Sequence, residues 1–139
     1  MHISALVKNA RDCHHVTVAT DASAKSLTVP CRESGFGSGI NGGELLMLAL
    51  ATCYCNDLYR EAARLGIVIA SVEVSASADF EGIGVAAKKI QYRARVVSTA
   101  SDADIARLIR ETDAVAEIHN TLRRGAAVTL EPWRAGGAV

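Results

Sequence analysis

The feature that most constrains this chain is an apolar segment, residues 45–55, in which no side chain is charged. A helix that is apolar on every side lies in a core or an interface rather than on a surface. The same segment carries two cysteines, Cys53 and Cys55. Thiols in such a place are either inert packing or a redox site shielded by the fold. Both interpretations are open at this point.

Local signals mark both ends of this helix. Asn41 and Glu44 stand three residues apart at its start, the spacing of a reciprocal N-terminal cap. Gly66 stands where helices commonly end in a left-handed residue, so the helix is predicted from Asn41 to Leu65. The glycine-rich segment 34–43 before it lacks a phosphate-binding motif, and a turn or hinge is the expected use.

The rest of the chain reads as runs of strands and runs of helices. Alternating residues predict an N-terminal meander of about three strands. They also predict two paired strands after the long helix, Val68–Phe80 and Lys88–Ser98. Two helices follow, one opened by Ser101 and one over Ala114–Arg124, and then a last strand over Ala126–Glu131. The order βββ-α-ββ-αα-β indicates an α+β fold with antiparallel sheets.

Composition bounds the class of protein. Fifteen basic and fifteen acidic residues cancel, which argues against nucleic acid as an obligate partner. No apolar run reaches the roughly 18–20 residues that span a bilayer, and no secretory signal opens the chain. We therefore expect a single domain over residues 1–139, located in the cytoplasm, with no membrane partner. In a reducing cytosol, its four cysteines serve packing, metal or redox chemistry rather than a disulfide framework.

The chain resembles the OsmC/Ohr family of peroxide-handling proteins from about Ile3 to Pro132. Three motifs in a fixed order carry the resemblance: Asn41-Gly-Gly-Glu-Leu-Leu, Ala51-Thr-Cys-Tyr-Cys-Asn-Asp-Leu and Ile118-His-Asn-Thr-Leu-Arg-Arg-Gly. The resemblance implies an OsmC-like fold and an intertwined homodimer, with the long central helices buried between the sheets. Such a dimer would explain why the central helix is apolar on every side.

The resemblance also implies two-thiol chemistry, from which this chain departs. In the family, a peroxidatic cysteine becomes a sulfenic acid that condenses with a second cysteine. Cys53 matches the peroxidatic position, but Ala116 stands in the place of the second cysteine. Gly43 stands where the hydroperoxide-resistance branch has a glutamate, and Glu44 matches the glutamate of other branches one residue later. The position of a catalytic arginine is not evident.

The expected activity is reduction of small hydrophobic peroxides or related electrophiles through Cys53. His119 lies one turn after Ala116, so it is expected to point toward Cys53 and pair with it. Cys31, beside the glycine-rich segment, is a possible resolving thiol; otherwise an external thiol reductant completes the cycle. The predicted catalytic residues are thus Cys53, His119, Glu44 and Cys31, while Cys55 is expected to be small apolar filler.

Two other functions remain open. One is a non-catalytic OsmC-like module that binds an apolar small molecule in the dimer cleft, with Cys53 kept as packing. The other is a thiol-dependent enzyme that is not a peroxidase, with Cys53 as nucleophile and His119 as base.

Residue spacing also bears on metal binding and on surface charge. The segment Cys13-His14-His15, taken with Cys53 and Cys55, lacks the spacing of structural zinc sites, so neither a metal nor a cofactor is expected. The long helix also carries charges of both signs at helical spacing, which predict a solvated face with i,i+3 and i,i+4 ion pairs: Asp57, Arg60, Glu61 and Arg64.

Overall fold

The computed structural model describes residues 1–132 and is a mixed α+β structure with antiparallel sheets, which confirms the predicted fold class. Its elements, in chain order, are β1 (Ile3–Ala10), β2 (Cys13–Thr20), β3 (Ser23–Leu27), α1 (Gly42–Leu65), β4 (Ile69–Asp79), β5 (Lys88–Ser98), α2 (Asp102–Val115) and α3 (Glu117–Arg124). The chain divides into two compact units, Met1–Leu48 and a second from Ala49 onward, with the boundary inside α1. That residues 1–139 form a single domain stays a prediction.

The first unit is built on an antiparallel meander in the order β1-β2-β3. Its register places Val7 opposite Val16, and Val16 opposite Leu27. Residues directly opposite each other lie on the same face of a sheet, so these three side chains form an apolar stripe across the meander.

The glycine-rich segment is tied to the β1–β2 hairpin of this unit. The Gly35 N–H donates to an Asp12 carboxylate oxygen at 3.0 Å, and the Gly37 N–H donates to the Asn9 side-chain oxygen at 3.1 Å. Both glycines have positive φ angles, 91° and 100°, which favour glycine. The segment is therefore a fixed turn rather than a free hinge.

The limits of α1 agree with the sequence prediction. The Glu44 N–H donates to Asn41 Oδ1 at 2.9 Å, and the Asn41 N–H donates to Glu44 Oε2 at 2.7 Å. At the other end Gly66 is left-handed, and the Ile67 N–H donates to the Ala62 carbonyl at 2.9 Å. Although α1 is the longest helix of residues 1–132, none of these helices is both long and apolar enough to cross a membrane.

The second unit has its own hydrophobic core. The β4–β5 hairpin pairs Val72 with Val96 and Val74 with Ala94. The buried apolar residues come from α1, from α2 and from Ala116, which follows α2. Leu58 and Leu108 are both 0% exposed. Full burial of one leucine contributes roughly 1.5–3 kcal/mol. The fully packed cluster consists of Tyr54, Leu58, Ala62, Leu108 and Ala116.

Two predicted elements at the end of the chain are corrected. The strand expected over Ala126–Glu131 is not formed, because no strand within residues 1–132 pairs with it; Val128 and Leu130 there are 99% and 97% exposed. The last helix begins at Glu117 rather than Ala114. Ala116, with φ −70° and ψ 105°, is extended and separates α2 from α3.

Candidate active site around Cys53

Cys53 lies where the middle of α1 meets the start of α3. Its thiol donates to Asp57 Oδ2, one helical turn later, at 3.5 Å. Its Sγ also lies 3.9 Å from Oε2 of Glu117, the first residue of α3. The i,i+4 spacing places Cys53 and Asp57 on one face of α1, and the packing of α3 brings the second carboxylate to them.

The start of α3 also presents a backbone donor to this sulfur. The Ile118 N–H donates a hydrogen bond to Cys53, and this bond lowers the pKa of the thiol. Ala116, at the N-cap, makes no side-chain capping bond, so first-turn N–H groups are left for other acceptors. A helix N-terminus favours a negative charge, which is one way in which proteins stabilise thiolates.

The surroundings nevertheless raise the pKa of Cys53 above its ordinary value. Burial is the largest cause, the Ile118 hydrogen bond opposes it, and the carboxylates of Asp57 and Glu117 raise the pKa further. Burial likewise raises the pKa of Asp57, with the neighbouring Glu117 carboxylate adding to the effect. The resting thiol is therefore protonated at neutral pH, beside a carboxylate that is a better proton acceptor than usual.

Arg60 neutralises part of this negative charge from the side away from the thiol. Its Nη1 lies 2.7 Å from Asp57 Oδ1 and 3.5 Å from Glu117 Oε1. Its Nε lies 3.3 Å from Glu61, which in turn pairs with Arg64 at 2.6 Å. Asp57 and Glu61 are only 4% and 8% exposed. The i,i+3 ion pairs predicted for this face are therefore confirmed, and its arginines are about half exposed. The predicted solvation of its acidic residues is wrong, because both are buried.

His119 does not pair with Cys53. It is 3% exposed, and its ring lies against Tyr92 and Tyr54, with centroid distances of 4.3 and 5.5 Å. Within residues 1–132 neither ring nitrogen has a hydrogen-bond partner. The physical reason is the start of α3: Glu117 faces the thiol, and His119 is rotated about 200° from it around the helix. Burial, and then the charge of Arg123, lower the pKa of His119.

The other predicted site residues lie elsewhere in the chain. Cys31 and Glu44 both belong to the first unit. Cys31 is exposed, and its backbone forms an isolated antiparallel β-bridge with Ser38. Glu44 is exposed and forms part of the N-terminal cap of α1. Cys55 is half-buried, and all four cysteines are free in the described chain. The catalytic roles expected for Cys31 and Glu44 stay predictions.

A pocket of about 200 Å³ lies beside His119 in the second unit. Its walls are mostly apolar, with one guanidinium and one phenol at the rim. The lining residues are Leu50, Ile90, Tyr92, His119, Leu122 and Arg123. Its mostly apolar lining with a few polar groups is typical of small-molecule sites, although its volume is below the usual range of about 300–1,000 Å³.

The residues around Cys53 were only partly accessible from the sequence. The i,i+4 spacing of Cys53 and Asp57 is a signal that sequence reasoning can use, because side chains at that spacing share one face of a helix. Glu117 is 64 residues from Cys53, so only the packing of α3 reveals it. Arg60 was assigned to a solvated face, although it contacts both carboxylates.

The fold and this site define a class of small α+β proteins that carry a thiol on a long central helix. Residues 35–131 match the family described as OsmC-like protein. This match covers more than half of the chain, so the chain belongs to the OsmC-like protein family. A comparison with curated proteins gives no match.

Solved structures of similar fold agree with this assignment. An OsmC-like protein from Mycoplasma pneumoniae is 21% identical, with a TM-score of 0.59 over 88% of this chain and 86% of that one. An organic hydroperoxide resistance protein OsmC from Legionella pneumophila is 17% identical, with a TM-score of 0.59 over 88% and 90%. An organic hydroperoxide resistance protein from Elizabethkingia anophelis is 17% identical, with a TM-score of 0.61 over 88% and 89%. At these identities the likeness concerns the fold.

Proposed function

We propose that this protein reduces organic hydroperoxides through Cys53, using an external thiol or Cys31 to complete the cycle. The observation that carries the proposal is the hydrogen bond of the Cys53 thiol to the buried Asp57 carboxylate. Both residues lie on α1, next to the N-terminus of α3. Two proteins of similar fold are described as organic hydroperoxide resistance proteins, which supports the choice of substrate.

In the first step the Cys53 proton passes to Asp57 Oδ2. The thiolate, stabilised by the Ile118 N–H, attacks the distal oxygen of the hydroperoxide; an S–O bond forms and the O–O bond breaks. The departing alkoxide takes the proton from Asp57 and leaves as an alcohol. Arg60 offsets part of the negative charge of the two carboxylates throughout. Cys53 is left as a sulfenic acid, and the peroxide has been reduced by two electrons.

In the second step a thiol attacks the sulfenic acid, so that a disulfide bond forms and water leaves. A second thiol then attacks this disulfide and releases Cys53 as a thiol, with the reductant oxidised to its own disulfide. Ala116 supplies no sulfur at the family's second position, so the first of these thiols is either external or Cys31.

The rival function is a non-catalytic module that binds an apolar small molecule, in the dimer cleft expected from the family. The raised pKa of Cys53 favours this rival, because a protonated thiol is a poor nucleophile. The two functions differ in whether Cys53 changes its oxidation state.

Peroxide consumption by single-cysteine variants tests the proposal. With dithiothreitol as reductant and cumene hydroperoxide as substrate, Cys53→Ser is expected to remove consumption, and Cys55→Ser to retain it. Consumption by Cys53→Ser at the wild-type rate would end the peroxidase assignment. After one equivalent of oxidant without reductant, mass spectrometry distinguishes a Cys31–Cys53 disulfide from a sulfenic acid at Cys53, and so distinguishes the two routes of completion.

We also propose that the working form is a cytoplasmic homodimer. The apolar stripe of the meander supports a partner, since Val7 on it is 55% exposed and Leu27 is 41% exposed in the single chain.

A further inference from the structure

Three potential metal ligands converge at the start of α3. Cys53 Sγ, one oxygen of Asp57 and one oxygen of Glu117 all lie within 4.8 Å of one another. They come from two helices that meet there, and Asp57 is only 4% exposed. The arrangement therefore combines one sulfur with two oxygens, one of them deeply buried.

The contacts of Arg60 leave the inner side of this group without a cation. Arg60 binds the outer oxygens, Oδ1 of Asp57 and Oε1 of Glu117, whereas Oδ2 and Oε2 face the sulfur. Both of these inner oxygens lie next to the half-buried thiol. Once Cys53 is ionised, three negative groups would face one positive one. A divalent cation among them would bring the net charge to zero.

We propose that Cys53, Asp57 and Glu117 bind a zinc ion, with the fourth position open to solvent. Zinc accepts cysteine sulfur at about 2.3 Å and carboxylate oxygen at about 2.0–2.2 Å. Tetrahedral ligands at those lengths place sulfur and oxygen about 3.5 Å apart. The observed sulfur–oxygen separations, 3.5 Å to Asp57 and 3.9 Å to Glu117, are close to this value, and the two carboxylate oxygens lie within 4.8 Å of each other.

The donor set selects zinc over the hard cations. A thiolate is a soft ligand, which magnesium and calcium avoid and zinc accepts together with carboxylates. On binding, the thiol proton is released to solvent and an S–Zn bond forms, with no change of oxidation state. The inference requires no peroxide chemistry and goes beyond the proposed function, although bound zinc would cover the same sulfur.

The test uses the full-length, EDTA-treated protein. Isothermal titration with zinc gives stoichiometry and affinity, and titration with cadmium shows the ultraviolet sulfur-to-metal charge-transfer absorption that reports a bound thiolate. One zinc per chain is expected, with the cadmium absorption lost in Cys53→Ser and retained in Cys55→Ser. Glu117→Gln, whose side chain is exposed and safe for folding, is expected to weaken zinc binding at least about tenfold.

Three results would overturn the proposal: no zinc binding, cadmium absorption that persists in Cys53→Ser, or a Glu117→Gln affinity equal to wild type. Persistence in Cys53→Ser would place the metal at other cysteines, such as Cys13. Peroxide consumption is measured separately on the metal-free protein, so loss of one function is distinguishable from loss of the other.

Discussion

The two units of this chain both contain antiparallel strands but bury their side chains very differently. In residues 1–48 the meander is fully paired, yet Val29 is the one buried apolar side chain of that range. In the second unit Leu58 and Leu108 are 0% exposed within a continuous core. Paired strands alone rarely give a stable structure in water. The comparison teaches that paired strands alone do not make a core: the second unit has one, whereas the first buries little apolar surface of its own.

The largest expected effect concerns assembly through the first unit. Val7→Asp places a charge in the apolar stripe and is expected to convert the homodimer into monomers, because burying an unpaired carboxylate is strongly unfavourable. Thr17→Asp is the matched control, since Thr17 lies on the opposite face of the meander. Light scattering during size-exclusion chromatography measures the mass. If the wild-type protein is already monomeric, both the proposed dimer and this explanation of the exposed stripe are wrong.

The next prediction compares a residue of the closed core of the second unit with a residue of the apolar stripe of the meander. Leu58→Ala is expected to lower the free energy of unfolding by about 2–5 kcal/mol at every protein concentration, because it opens a cavity in a closed core. Val7→Ala is expected to cost less, and its cost should depend on protein concentration if the proposed dimer partner buries this side chain. Urea denaturation at two concentrations measures both. Equal, concentration-independent losses would mean that the two units do not differ as described.

The third effect concerns the thiol. In metal-free protein with the other cysteines replaced by serine, the alkylation rate of Cys53 is expected to keep rising above pH 9, because the pKa of the thiol lies above its ordinary value of 9.0. Asp57→Asn removes a nearby negative charge, so the whole profile should move to lower pH. Asp102→Asn, in the first turn of α2, is the control and should leave it in place. An unchanged profile in Asp57→Asn would show that the carboxylate does not influence the thiol.

The smallest effect compares helix caps in the two units. Asn41→Ala removes the capping bond at the start of α1, and Ser101→Ala removes the one at the start of α2. Each is expected to cost about 1 kcal/mol, because one first-turn N–H loses its acceptor. Thermal denaturation measures both losses. A negligible cost for Asn41→Ala alone would indicate that the first turn of α1 is held by other contacts.

The elements that the sequence predicts well are those with local signals. The limits of α1 follow from Asn41, Glu44 and Gly66, and β5 follows from strict alternation over Lys88–Ser98. These signals act between residues that are close in the sequence, so they can be recognised without knowledge of the fold. The predicted closing strand over Ala126–Glu131 failed because a strand also needs a partner edge, which no local pattern supplies.

The site was less predictable, because its parts come from distant positions. Cys53 and Asp57 share a helix, but Glu117 reaches them only through the packing of α3. The expected pairing of His119 with Cys53 is not formed. The extended residue Ala116 precedes α3, and Glu117 rather than His119 faces the thiol. A charge pattern on one helix likewise does not show which of its faces will be covered, and for this reason Asp57 and Glu61 were misplaced.

The ion pairs described beside Cys53 continue as a chain that reaches the surface. From Glu117 it passes through Arg60, Glu61 and Arg64 to Glu111, which pairs with Arg107 at 2.6 Å. The arginines in it are about half exposed, so dissolved ions screen them, whereas Asp57 and Glu61 are covered. Raising the ionic strength therefore weakens the electrostatic effect of the half-exposed arginines more than that of the buried carboxylates. The salt concentration of the solution is therefore expected to influence the pKa of the Cys53 thiol, although no dissolved ion touches that thiol.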